Sequence, residues 1–139
     1  MIVHHCHVEL STKGFNDCRN ITPALEQCLK ESEIRNGLLT VMNPGSTGAI
    51  TTIEYESGAV SDLQKAIERI APMEIEYAHN LRWGDGNGFS HVRSALMKPS
   101  LGIPIIDGKL CLGTWQQAVF LDFDNRPRNR RLVVQIMGT

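Results

Sequence analysis

The chain has 139 residues, 42% of them hydrophobic and 21% charged, with a formal net charge of -1. That length is enough for one domain, residues 1–139, with a core that needs no staples, and the near-neutral charge gives no reason to expect a nucleic-acid partner. No apolar run approaches a membrane span, and the start lacks the basic and long apolar segments of a secretory signal, so a cytoplasmic location away from membranes is expected.

Four cysteines, Cys6, Cys18, Cys28 and Cys111, are scattered without a Cys-x-x-Cys pair. They are expected to be free thiols in a reducing compartment.

Residues 2–11 alternate as a strand does, with His4, Cys6, Val8 and Leu10 on one face and His5, His7 and Glu9 on the other. His5 and His7 are expected as neutral, partly exposed strand residues. A turn-rich stretch, Ser11 to Asp17, follows. Thr22-Pro23 reads as a helix start, with the threonine hydroxyl as cap, and the helix runs to about residue 33 on an apolar face of Ala24, Leu25, Cys28 and Leu29.

Leu38 to Met42 and Ala49 to Tyr55 read as strands joined by Pro44-Gly45-Ser46-Thr47-Gly48. Such a small-residue loop brings backbone amides and two hydroxyls towards an anion. It lacks the lysine of a P-loop and opens onto a strand, which disfavours nucleotide triphosphates. Glu54 and Glu56 are expected on one side of the second strand, within reach of a metal or a base role. A second helix, Val60 to Ile70, is capped by Ser57 or Ser61 and stopped by Pro72.

The strands Leu101 to Ile106, Lys109 to Leu112, Trp115 to Phe123 and Arg131 to Met137 complete the pattern, with Asp107-Gly108 as a hairpin turn. Six or so strands with two main helices predict an α+β fold of mostly antiparallel pairing. Trp115 is expected in core or subunit packing, and Gln116 as a polar contact of the site. Arg126, Arg128, Arg130 and Arg131 crowd together, which fits a solvated turn as well as a phosphate or an acidic neighbouring subunit.

The stretch 77–96 carries the candidate chemistry. His79 and His91 flank Gly84-Asp85-Gly86-Asn87-Gly88, and Arg93 lies just beyond. An EF-hand starting at Asp85 fails at Phe89 and Leu96, and a dinucleotide fingerprint fails for want of the third glycine and a βαβ unit. Ser90 is expected to cap a short helix running to Lys98, whose free amides and Arg93 would attract an anion. His79, His91 and Asp85 suit zinc or another divalent ion with positions left open for substrate.

Tyr77-Ala78-His79-Asn80, the Gly-Asp-Gly-Asn-Gly loop, Ser90-His91-Val92-Arg93-Ser94, Pro99-Ser100-Leu101 and Leu112-Gly113-Thr114-Trp115-Gln116-Gln117 together resemble the YjbQ-type family of secondary thiamine-phosphate synthases. The resemblance extends over nearly the whole chain, including Ser11 to Gly14, Ala49 to Glu54 and Arg130-Arg131. It implies a β-sandwich of α+β type, association into homotrimers, and a histidine-bearing pocket at the subunit boundary that can hold a metal; with the residues at 79, 85 and 91 the expected cofactor is a divalent ion, zinc or magnesium. It also implies a transferase acting on small phosphorylated molecules, joining a pyrimidine pyrophosphate to a thiazole phosphate with release of pyrophosphate.

By residue match His79 and His91 take the family's histidine positions. Many members have a further histidine where this chain has Gly45. Catalytic roles are therefore expected at His79, His91, Arg93 and Glu54, substrate contacts at Gly45, Ser46, Thr47, Asn87, Ser90 and Gln116, and metal ligation at His79, His91 and Asp85. The same pocket in a non-catalytic trimeric binding module is the alternative.

Overall fold

The computed structural model describes residues 1–139. Its strands are β1 (Ile2–Thr12), β2 (Asp17–Asn20), β3 (Gly37–Met42), β4 (Gly48–Glu54), β5 (Ser100–Ile106), β6 (Lys109–Leu110), β7 (Gln116–Asp122) and β8 (Arg128–Gly138). Four helices join them: α1 (Thr22–Ser32), α2 (Ser57–Ile70), α3 (Ala78–Trp83) and α4 (Gly88–Met97). Every strand pair is antiparallel, in one sheet of order β1-β8-β3-β5-β6 and another of order β2-β7-β4.

The expected α+β sandwich is present, with two short helices more than the sequence pattern announces. Alternation explains the larger sheet. Val8, Leu39, Val41, Ile103, Ile105, Leu132, Val134 and Ile136 all point inward and join Leu25, Cys28 and Leu29 of α1 in one core with Ile50, Ala118 and Phe120. The smaller sheet is covered twice, because Ala49, Val119 and Leu121 on its other face pack with Ile67 under α2. That double cover accounts for the unbroken burial of Ala118 to Asp122.

Local details differ from the expected ones. The Thr22 hydroxyl accepts a hydrogen bond from the Ala118 amide at 2.8 Å and does not cap α1; the Thr22 amide instead donates to Asn20 Oδ1 at 3.0 Å. β4 ends at Glu54, so Glu56 shares no strand face with it and instead caps α2 by accepting from the Gly58 and Ala59 amides at 2.7 and 2.8 Å. Those two bonds hold the Glu56 carboxyl below its usual range. Of the two places expected for Trp115, core and subunit packing, it does not take the core: it precedes β7 and is 73% exposed. The short polar strand β2 has no periodic signature in the sequence.

The cysteines also depart from expectation. Cys6 on β1 and Cys28 on α1 form a disulfide, their Cα atoms 6.2 Å apart. Both face the core from elements that pack together, a proximity that sequence spacing does not reveal. Cys18 and Cys111 are free, and burial, with the Asp17 charge adding to it, pushes the Cys18 thiol up to about 11.

Candidate metal centre

The stretch between the two histidines is mostly helical. α3 ends at Gly84, whose left-handed backbone (φ 65°) lets its amide close on Asn80 O at 2.8 Å. The chain then turns through Asp85 and re-enters a helix at Gly88, where any side chain would collide with Tyr77. These glycines therefore have structural duties. The Asp85 carboxylate accepts from the Asn87 amide at 3.1 Å, and Asn125 Nδ2 donates to the Asp85 carbonyl at 2.9 Å, which fixes the turn from both sides.

This double helix turn brings His79, Asp85 and His91 together, with one ligand atom of each within 4.8 Å of the others. The two imidazole rings are tilted at 50° with centroids 4.4 Å apart. His79 Nδ1 lies 3.2 Å from Asp85 Oδ1, but the alignment makes no hydrogen bond, and this buried nitrogen has no other partner. His91 Nδ1 lies 3.2 Å from the Ser46 carbonyl. Donating there leaves Nε2 with its lone pair free, the arrangement usual for a metal-ligating imidazole.

The cluster fits a cation on two counts: an unpartnered buried nitrogen, and a donor set of two nitrogens and one carboxylate. That set matches zinc and related transition ions better than magnesium, which prefers oxygen throughout.

The other expected site residues are dispersed. Arg93 is 3% exposed, donates from Nε to the Ala71 carbonyl at 2.9 Å, pairs with Glu68, and lies over the Phe89 ring. It cannot share a rim with His91, because residues two apart on a helix point to nearly opposite faces. Ser90 is inside α4 and buried, its hydroxyl 2.7 Å from the Asn87 carbonyl and 2.6 Å from Asn87 Oδ1. The residue flanking the helix is Asn87, and the Gly88 amide is already taken by Asn80 Oδ1 at 2.8 Å.

Glu54 and Gln116 pair with one another at the end of β4 away from Gly48. Six residue steps put them about 20 Å from Gly48 at ~3.4 Å per residue. Gln116 there donates to the Thr52 hydroxyl at 3.0 Å and accepts from the Gly113 amide at 3.0 Å.

The Gly45–Thr47 loop does adjoin the cluster through the Ser46 carbonyl, but Thr47 is buried. Its hydroxyl donates to Asp124 Oδ2 at 3.0 Å and accepts from Arg130 Nη2 at 2.7 Å. Arg130 also forks onto Asp122 at 2.7 and 2.8 Å, and Arg128 pairs with Asp124 at 3.0 Å. Burial pushes the Asp122 carboxyl up, but hydrogen bonds from Arg130, Thr12 and the Asp124 amide, with the Arg130 charge, outweigh it and hold the group below its usual range. The alternation of Asp122 and Asp124 with Arg128 and Arg130 was the available signal for this network.

Fold and cluster together define a small two-sheet α+β protein with a His79–Asp85–His91 constellation at one end of the sandwich. The family model of the UPF0047 protein YjbQ-like group matches residues 6–139. The chain belongs to that family. A UPF0047 protein from Methanothermobacter thermautotrophicus is 38% identical over 138 residues, 99% of this chain and 94% of its own. A crystal structure of a YbjQ-like protein of unknown function from Sulfolobus solfataricus superposes with a TM-score of 0.94 at 28% identity, covering 99% of both chains. A YjbQ/UPF0047 protein from Clostridium acetobutylicum gives 0.87 at 30% identity over 95% of this chain and 99% of its own.

Proposed function

We propose that the protein is a metal-assisted enzyme acting on a small phosphorylated substrate, with a transferase activity like that of the secondary thiamine-phosphate synthases it resembles. The observation that carries this is the convergence of His79, Asp85 and His91 around a buried His79 Nδ1 that has no hydrogen bond. His79, Asp85 and His91 would hold a divalent ion, zinc fitting the donor set best. When bound, such an ion neutralises charge that builds on phosphate oxygens as a pyrophosphate group leaves.

The residues around it orient and bind. The Ser46 carbonyl aims the His91 ring, and the Asn87 amide aims the Asp85 carboxylate. The loop 44–48 supplies the wall nearest the cluster, where the phosphorylated group would lie.

Self-association into a homotrimer belongs to the same proposal. Val3, Met137 and Leu38 form one cross-strand row on the outer face of the larger sheet, and Val133 and Met42 lie in the row paired with His7. These five side chains are 39–50% exposed. A second copy covering that face would bury them, and assembly is the only route by which Glu54 and Gln116 reach a histidine cluster. Light scattering tests this: a trimer is expected, and Leu38→Lys with Met137→Lys should dissociate it.

The enzymatic reading is tested by elemental analysis and turnover. About one divalent ion per protomer is expected, lost in His91→Ala, with pyrophosphate released from the two thiamine precursors by the unmodified chain alone. A metal-free protein, or a release rate unchanged by His79→Ala and His91→Ala, overturns it. A non-catalytic metal- or anion-binding trimer is favoured by the placement of Arg93 and Glu54 away from the cluster; it predicts bound metal without pyrophosphate release.

A further inference from the structure

We infer that Arg130 is the group that grips the phosphoryl end of the ligand, through its free Nη1 beside Gly45. The inference rests on the function proposed above and adds a residue to it.

The guanidinium is rigid before any ligand arrives. Of its five N–H groups, Nε donates to Asp122 Oδ2 at 2.7 Å, and Nη2 donates to Asp122 Oδ1 at 2.8 Å and Thr47 Oγ1 at 2.7 Å. The two hydrogens on Nη1 meet no acceptor in the chain, and Nη1 is not sealed from solvent. It lies 3.5 Å from the point where a side chain on residue 45 would begin.

A second donor borders that point. Asn43 is 2% exposed, its Nδ2 has no hydrogen-bond partner, and it too lies 3.5 Å away, with Asn43 Oδ1 at 3.7 Å. Two unspent donors therefore lie beside Gly45; Arg130 Nη1 is the one open to an oxyanion, and Asn43 Nδ2, closed to solvent, lies behind the same point.

Nothing in the fold requires glycine at this position. Its backbone is not left-handed, and an added Cβ would meet no atom closer than 3.5 Å. By contrast, a Cβ at Gly48 would come within 2.6 Å of the Phe120 ring. The point a Cβ would occupy at 45, 3.5 Å from Nη1 and from Asn43 Nδ2, holds no protein atom. The next residue, Ser46, carries the carbonyl 3.2 Å from His91 Nδ1, so the donors and the histidine cluster are neighbours across one short loop.

Asp122 and Asp124 offset the charges of Arg130 and Arg128. The site therefore holds a phosphoryl group chiefly by fixed hydrogen bonds, and positions it more than it captures it.

Pyrophosphate is the probe. Titration calorimetry on the metal-loaded protein should show binding that Gly45→Val weakens at least tenfold and Gly45→Ala weakens less, with metal content unchanged in both variants. Equal affinity in Gly45→Val, or no pyrophosphate binding by the unmodified chain, overturns the inference. Loss of metal from the unmodified chain would instead overturn the function it rests on. Independently of any variant, pyrophosphate should shift the Asn43 side-chain amide and the Gly45 and Ser46 backbone amides in the NMR spectrum; shifts confined to other residues also overturn it.

Discussion

Two polar clusters lie on either side of the loop 44–48, and they differ in how completely they are satisfied. In one, Asp122, Asp124, Arg128, Arg130, Thr12 and Thr47 form a network of directed bonds, with both carboxylates fully buried. In the other, His79, Asp85 and His91 stand close but bond to one another poorly, and His79 Nδ1 is left over. The first network is tied into the fold by its bonds, leaving over Asp124 Oδ1 and Arg130 Nη1. The histidine cluster, which its own members bond so little, has more capacity for something else.

The contrast breaks first on stability. Asp122→Ala removes the partner of Arg130 and leaves a largely buried guanidinium without its fork, which should cost about 3–5 kcal/mol in denaturant unfolding. The same carboxyl sets an acid limb. Its folded value lies below the unfolded one, so its stabilisation is complete above the ordinary carboxylate range near ~3.9 and fades as pH falls through the folded value. Asp122→Asn should flatten stability against pH below about pH 4, measured by thermal melts across that window. An unchanged acid limb would mean that the network is not the titrating element.

The histidine cluster should behave in the opposite way. Removing His79 from metal-free protein should shift stability by about 0.5 kcal/mol or less, because its ring is part-exposed and its Nδ1 bonds nothing. Zinc at a hundredfold excess over its dissociation constant should stabilise the unmodified chain by about 2.7 kcal/mol and leave His79→Ala unmoved. Zinc stabilisation that persists in His79→Ala and in His91→Ala would place the ion elsewhere.

How far this was legible in sequence follows from the range of each interaction. The sandwich was readable because alternation along β3, β5 and β8 is a local signal. The proximity of His79, Asp85 and His91 was suggested by residue type and a short intervening turn. Arg93 follows His91 closely in sequence, yet at 100° per residue two helical steps carry its side chain to the opposite face. Ser90 has the residue type of a cap, but the helix begins two residues earlier, at a glycine with no capping signature. The Cys6–Cys28 bond and the Arg130 fork join residues that only the folded chain makes neighbours.

The smallest expected effect concerns Glu54, which sharpens the comparison by lying outside both clusters. Within one protomer it sits at the far end of β4, paired with Gln116 and remote from the histidines. Glu54→Gln should therefore change unfolding stability by no more than about 0.5 kcal/mol and leave metal content as it is. Its effect on pyrophosphate release then reports on assembly. In a monomeric protein the rate should be unaffected, whereas a trimer that carries Glu54 to a neighbouring His79–Asp85–His91 cluster should lose turnover while keeping its metal. A variant that lost metal in a monomer would show that the strand end and the cluster communicate through the fold, and would break the separation drawn between them.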